Sequence, residues 1–237
     1  MILRREGTWP MAVTAFDYYS KKLSAERLRM AYEIASPRVK QYLNAEIDFA
    51  LERMKPGAKV LELGCGYGRI LERLTTKAGH VTGIDTSLDS LLLARQTSAG
   101  TSFFLAAMNA VQTAFKDDSF DVTACLQNGI SAFKVDQKDL IAEAVRVTRP
   151  GGTILFSSYA AQFWPDRLEW FRHQAGLGLL GEIDEAATGD GVIVCKDGFR
   201  ANTIRPEDFE VLVTELGLAP KITIVDGSTV FCEIIVP

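Results

Sequence analysis

The stretch Val60-Leu61-Glu62-Leu63-Gly64-Cys65-Gly66-Tyr67-Gly68 constrains this chain more than any other. Lys59 to Leu63 is a short apolar run of buried-strand type that ends in a glycine cluster, and Ile70, Leu71 and Leu74 follow at helical spacing. A strand that ends in glycines and feeds a helix lets the backbone approach a ligand with no Cβ in the way. Asp85 stands seventeen residues past Gly68, at the end of a second apolar strand, Val81 to Ile84. A carboxylate there is placed to accept hydrogen bonds from two vicinal ribose hydroxyls. The pair argues for an adenosine-containing ligand at the carboxyl ends of the strands.

Glycine spacing chooses among such ligands. Dinucleotide sites usually read G-x-G-x-x-G, whereas this chain reads G-x-G-x-G with an acid, Glu62, inside the strand. A P-loop is excluded, since no Lys-Ser or Lys-Thr follows. Glu62 would repel a nearby pyrophosphate and suits a ligand that carries an ammonium and a sulfonium. The competing structural reading is a tight strand-to-helix turn that holds nothing.

The rest of the chain repeats the strand-helix rhythm. Val39, Tyr42, Leu43, Ile47, Ala50 and Leu51 recur at helical spacing behind Pro37, a good first-turn residue, and Pro56-Gly57 stops that helix. Ser87 is placed to cap a helix whose Leu88, Leu91 and Leu92 share one face. Further strands are expected at 103–105, 120–126 and 153–157, with a helix carrying Leu140, Ile141, Ala144 and Val145 before Pro150-Gly151-Gly152. The alternation predicts parallel β-α-β units in one doubly wound sheet. It breaks between Tyr159 and about Thr203, where an aromatic segment, a glycine-rich one and a hairpin around Lys196-Asp197-Gly198 follow one another. Pro206 then opens an amphipathic helix with Phe209, Leu212, Val213 and Leu216 on one face. The last strands, 222–225 and 230–236, are joined through Asp226-Gly227-Ser228 and read as an antiparallel edge hairpin.

Residues 58 to 156 resemble the class I S-adenosylmethionine-dependent methyltransferases, of the general type with small-molecule acceptors. The resemblance rests on four ordered segments: the glycine loop with Asp85, Phe115-Lys-Asp-Asp-Ser-Phe-Asp121, Arg149-Pro150-Gly151-Gly152, and the closing strand pair. It implies an α/β fold with a doubly wound, seven-stranded, mostly parallel sheet and an antiparallel C-terminal edge hairpin. One domain over 1–237 would carry a helical lid over 1–36 and a substrate cap in the 159–203 insertion. The implied cofactor is S-adenosylmethionine, with S-adenosylhomocysteine as product. By the resemblance it is held by Tyr19, Glu62, Gly64, Cys65, Gly66, Gly68, Asp85, Thr86, Asn109, Ala110 and Gln127. The Tyr18-Tyr19 pair resembles a lid segment whose Tyr reaches the cofactor's carboxylate. One departure stands at Asn109, where many relatives carry an Asp that contacts the adenine amino group, and Thr113-Ala114-Phe115 replaces their Leu-Pro-Phe. An Asn oxygen can still accept that hydrogen bond.

On the acceptor side the candidates are Asn128, Tyr159 and His173. Gln127-Asn128-Gly129-Ile130 lacks the Asn/Asp-Pro-Pro-Tyr/Phe of adenine and glutamine methyltransferases, which disfavours that chemistry. Asn128 equally reads as a turn residue before Gly129. Trp164, Leu168 and Phe171 lie on one helical face and read as core, with Arg167 and His173 able to meet an anionic acceptor. Methyl transfer from a sulfonium needs alignment rather than a protein nucleophile, so a missing catalytic dyad does not count against activity.

Composition narrows the partners. A net charge of -4, from 26 basic and 30 acidic residues, lacks the basic excess of nucleic-acid binders. No apolar run approaches the roughly 20 residues of a membrane span, and the N-terminus lacks a secretory pattern. Cys65, Cys125, Cys195 and Cys232 are scattered, and two histidines exclude a multi-His metal site. The expectation is a reduced, cytoplasmic enzyme without metal, a monomer or homodimer, with a small-molecule acceptor. Competing readings are a protein or RNA methyltransferase, a nicotinamide-dependent oxidoreductase and a non-catalytic nucleotide binder.

Overall fold

A computed structural model describes residues 18–237 apart from 99 and 101. In chain order the helices are α1 (Tyr18–Lys21), α2 (Ala25–Glu33), α3 (Pro37–Arg53), α4 (Leu71–Leu74), α5 (Leu88–Thr97), α6 (Gly129–Ala132), α7 (Gln137–Val147), α8 (Trp164–Gly176) and α9 (Pro206–Thr214). The strands are β1 (Lys59–Leu63), β2 (His80–Asp85), β3 (Phe104–Ala107), β4 (Phe120–Cys125), β5 (Thr148–Tyr159), β6 (Ile193–Val194), β7 (Arg200–Ala201), β8 (Pro220–Val225) and β9 (Thr229–Ile235).

Seven strands form one sheet in the order β3-β2-β1-β4-β5-β9-β8. Parallel pairing joins β1 to β2 and β4, β2 to β3, and β4 to β5, whereas β9 runs antiparallel to both β5 and β8. The expected edge hairpin is therefore present, with β9 as its inner member. Strand order reverses between β1 and β4, and in open α/β sheets a ligand crevice lies at that switch, outside the carboxyl ends of the strands. Local signals explain the flanking elements. Ser36 accepts from the Val39 amide with Pro37 in the first turn of α3, and Asp136 accepts from the Lys138 and Asp139 amides at the start of α7.

Three apolar clusters hold the molecule together. One joins α7 and α9 to one face of the sheet, and a second joins α3 and α4 to the other. The third lies over the sheet's end and unites α1 and α2 with the 159–203 segment through Tyr18, Leu23, Ala31, Tyr159, Trp170 and Phe199. The two segments expected to flank the site thus share one core. Residues 1–17 of the expected N-terminal lid lie outside the described residues.

Three expectations are corrected. Leu88 and Leu92 of α5 are 64% and 57% exposed, while Ser90, Leu91, Leu93 and Ala94 are buried. A Cβ added to Gly68 would stand 3.1 Å from that of Ala94, so the small residues must face the glycine loop and the leucines point away. On α8 the buried residues are Arg167, Trp170, Phe171 and Gln174, with Trp164 and Leu168 only partly covered. β5 begins at Thr148 rather than Thr153, because Gly151 and Gly152 remain bonded to Val236 in β-fashion. The hairpin around Lys196-Asp197-Gly198 forms as expected, though with two-residue arms. Among the described residues no helix is long and apolar enough to cross a membrane.

Candidate cofactor site

A cavity of about 310 Å³ opens at the carboxyl ends of β1, β2 and β4, beneath α1, α2 and α8. It brings together Tyr19, Glu62, Gly64, Cys65, Gly66, Asp85, Thr86, Asn109, Ala110, Gln127 and Tyr159. Gly68, Asn128 and His173 are not on its wall.

The loop after β1 takes its shape from its glycines and from Asp85. Gly64, Gly66 and Gly68 have φ of +76°, +53° and +82°, where a side chain is strained. Asp85 clamps the turn: one carboxylate oxygen accepts from the Gly66 amide and the other from the Ser87 amide, both at 2.8 Å. Ser87 in turn caps α5 by accepting from the Ser90 amide. The acid at the end of β2 therefore fixes the loop and presents negative charge to the cavity. Gly68 has another purpose, since it lets α5 approach rather than a ligand.

Glu62 stands at the base of the cavity, 3% exposed, and its Oε2 has no hydrogen-bond partner. Burial pushes its carboxyl up to about 8; the Arg69 guanidinium pulls it down and Asp85 pushes it further up. Cys65 beside it is buried, and burial raises its thiol, so it is an inert wall group. Asn109 is exposed, and its Oδ1 accepts from the Val111 amide in an Asx turn. A second lone pair on that oxygen remains for a ligand.

After β4, Gln127 and Asn128 both adopt left-handed conformations, with φ of +54° and +61°. Two adjacent strained residues need surrounding bonds to hold them. The Gln127 amide donates to Ser157 Oγ at 2.8 Å. Asn128 donates to the Asn202 carbonyl and accepts from Ser158 Oγ, each at 2.8 Å. Asn128 thus ties the sheet to the insertion, while the buried Gln127 Nε2 has no partner and lies at the cavity. His173 is exposed on the outer side of α8.

Several lining residues are not assigned to the site by the sequence, Phe171 being read there as core. Tyr32, Trp170 and Phe171 make aromatic walls, with Tyr32 and Trp170 centroids 5.8 Å apart and the Trp170 indole donating to the Ala31 carbonyl at 2.8 Å. Arg69, directly after the glycines, lines the cavity and has an unpartnered Nη2. Its signal is a cation directly after the last glycine of the loop.

An orphaned carboxylate oxygen on Glu62 fits an ammonium, and Asp85 beside the loop fits ribose hydroxyls, so the residues present suit S-adenosylmethionine. The methyltransferase-domain family model matches residues 60–152. A malonyl-[acyl-carrier protein] O-methyltransferase of Serratia marcescens is 34% identical over 106 residues, covering 45% of this chain and 40% of that protein. A ubiquinone biosynthesis O-methyltransferase of Hahella chejuensis is 31% identical, covering 47% of this chain and 48% of the other. The chain thus spans about half the length of the curated relatives it matches. A solved Pyrococcus horikoshii protein superposes with a TM-score of 0.69 at 21% identity, covering 86% of this chain and 94% of that one. Residues 60–152 match the methyltransferase-domain model, and the chain shares the α/β fold of these solved neighbours, among them a SAM-dependent methyltransferase of Methanosarcina mazei with a TM-score of 0.59 at 21% identity, covering 78% of this chain and 96% of that one.

Proposed function

We propose that the chain transfers a methyl group from S-adenosylmethionine to a small-molecule acceptor. The observation that carries this reading is the pairing of Glu62 and Asp85 in one cavity beneath an aromatic cap. Glu62 would hold the ammonium and Asp85 the ribose, with Tyr19, Thr86, Asn109, Ala110 and Gln127 around the nucleoside. When bound, the cofactor would supply an electrophilic sulfonium methyl, whose carbon an acceptor lone pair would attack in line as the carbon–sulfur bond breaks, leaving S-adenosylhomocysteine as the neutral thioether. The O-methyltransferase names of the two curated relatives support methyl transfer as the reaction.

The chain's own contribution is alignment and exclusion of water. Residues 1–36 and 159–203 are read as lid and cap. The Trp170–Ala31 bond and the Tyr18 hydroxyl, which donates to Asp197 at 2.7 Å, join the two segments. A cavity so covered suits a small acceptor better than a protein or RNA, and the net charge of -4 agrees. Tyr159 faces the cavity with the Arg167 guanidinium 4.1 Å from its ring centroid. Burial raises the Tyr159 phenol, so it orients an acceptor by donating a hydrogen bond rather than by removing a proton.

The test follows labelled methyl from S-adenosylmethionine into a panel of small acceptors, with protein and RNA as parallel substrates. Label in one small-molecule class supports the reading. Label only in macromolecules would overturn the acceptor assignment. Tight cofactor binding with no transfer to any acceptor would favour a non-catalytic binder.

A further inference from the structure

Two cations act on each other at the edge of this cavity with no acid between them. Lys134, directly after α6, is exposed and lies on the cavity wall. Partial burial and then the Arg200 charge hold its ammonium below the usual lysine range, and no carboxylate among the described residues acts on it. Asp136, two residues on, instead caps α7 by accepting from the Lys138 and Asp139 amides. Arg200, on β7, donates through Nε to Asn202 Oδ1 at 3.1 Å and forms no ion pair with any described residue. Other cations of this segment do find partners. Arg172 meets Glu185, Lys196 meets Glu182 and Arg205 meets Asp190, while Arg167 is buried against two carbonyls and Thr203. Arg200 is the exception, and its like-charged neighbour is the one that reaches the cavity.

The local structure holds this unfavourable arrangement in place. Lys134 has a φ of +56° just past the end of α6, where glycine is the usual residue. A lysine kept there puts an ammonium on the wall at the cost of backbone strain. On the other side, the Asn202 carbonyl accepts from Asn128, so the residue that orients Arg200 is itself tied to the loop after β4. Two like charges so placed are stabilised when an anion joins them.

We infer that Lys134 and Arg200 form an anion subsite at the mouth of the cavity, and that the methyl acceptor carries a carboxylate or phosphate which they hold. The inference rests on the methyl-transfer reading above and names the chemistry of its acceptor. Glu62 and Asp85 place the cofactor over β1 and β2, whereas Lys134 follows β4 and Arg200 belongs to the segment read as the cap. The anion therefore lies on the acceptor's side of the crevice. A guanidinium fork beside an ammonium suits a group with two or more acceptor oxygens. The cations that the sequence offered for this task are engaged elsewhere, since Arg167 is bonded within the cap and His173 faces outward.

The experiment is calorimetric titration of the S-adenosylhomocysteine-saturated protein with benzoate, phenyl phosphate and neutral benzamide, whose ring suits the aromatic walls. Wild type, Lys134→Gln, Arg200→Gln and the double variant are compared. At least one of the two anions should bind wild type about tenfold more tightly than benzamide, as a charge-assisted contact provides, and which one gains separates carboxylate from phosphate. The double variant should lose that advantage while its benzamide and S-adenosylhomocysteine affinities stay within about twofold of wild type, which also proves that it folded. Anions that bind wild type no better than benzamide, undetectable binding of all three included, would overturn the inference. An advantage that survives in the double variant would overturn it too. Failure of wild type to bind S-adenosylhomocysteine would instead overturn the methyltransferase reading itself.

Discussion

Gly64→Ala should be among the most damaging single-methyl changes in this chain, through two separable causes. Its φ of +76° places a Cβ in the left-handed region, at a cost of about 1–2 kcal/mol. The new Cβ would also stand 2.3 and 2.4 Å from two atoms of the Phe133 ring, far inside contact distance. Displacing that ring costs roughly another 1–3 kcal/mol, as overpacking typically does. The sum is about 2–5 kcal/mol, against a total stability on the order of 5–15 kcal/mol for a domain. Urea unfolding of wild type, Gly64→Ala, Phe133→Ala and the double variant separates the causes. The ring clash disappears in the double variant and the φ strain does not, so the cycle should show a favourable coupling of about 1–3 kcal/mol. Phe133 is also a wall of the cavity, so Gly64→Ala should weaken S-adenosylhomocysteine binding, with Phe133→Ala restoring part of it. A Gly64→Ala variant within about 0.5 kcal/mol of wild type, or a cycle with no coupling, would refute the packing reasoning.

Other expectations follow from the same contacts. Glu62 is protonated more readily in the folded chain, at about 8 against an ordinary 4.5, so the native state binds the extra proton between those values. Ligand-free stability should therefore fall as pH rises from about 5 to 8, by at most about 1.4 kcal/mol per pH unit from this group, and Glu62→Gln should flatten that slope in urea titrations. Trp170→Phe removes the donor to the Ala31 carbonyl and should cost about 1–2 kcal/mol, with faster proteolysis in α2 as the second readout. Leu91→Ala should cost about 2–5 kcal/mol and Leu92→Lys less than about 0.5 kcal/mol, since only Leu91 is buried. Equal thermal shifts for those two variants would contradict the assigned face of α5.

Legibility in the sequence tracked the range of the interactions involved. β1, β2 and β4 were legible because buried parallel strands are short apolar runs, and the loop because its glycines, Glu62 and Asp85 sit within one β-α-β unit. The α5 face was misjudged because its orientation is set by Gly68 against Ala94, a contact between separate elements, while its leucines imitate an inward stripe. On α8 the largest wholly buried side chain is Arg167, and a charge interrupts any apolar periodicity. Its burial depends on acceptors far along the chain: the Gly191 and Ala201 carbonyls and Thr203 Oγ1. Arg69 was passed over for a related reason, because the worth of an unpaired cation depends on which walls surround it. Asn128 looked equally like a site residue and a turn residue until its bonds to Asn202 and Ser158 placed it in the scaffold.

The most direct test of the cofactor assignment is calorimetric titration with S-adenosylmethionine and S-adenosylhomocysteine, with NAD as the control, on wild type and Asp85→Ala. Asp85 both clamps the glycine loop and faces the cavity, so its loss should weaken either methionine nucleoside by more than tenfold from micromolar affinity, while NAD binds neither protein. Binding of NAD without binding of either methionine nucleoside would contradict the assignment.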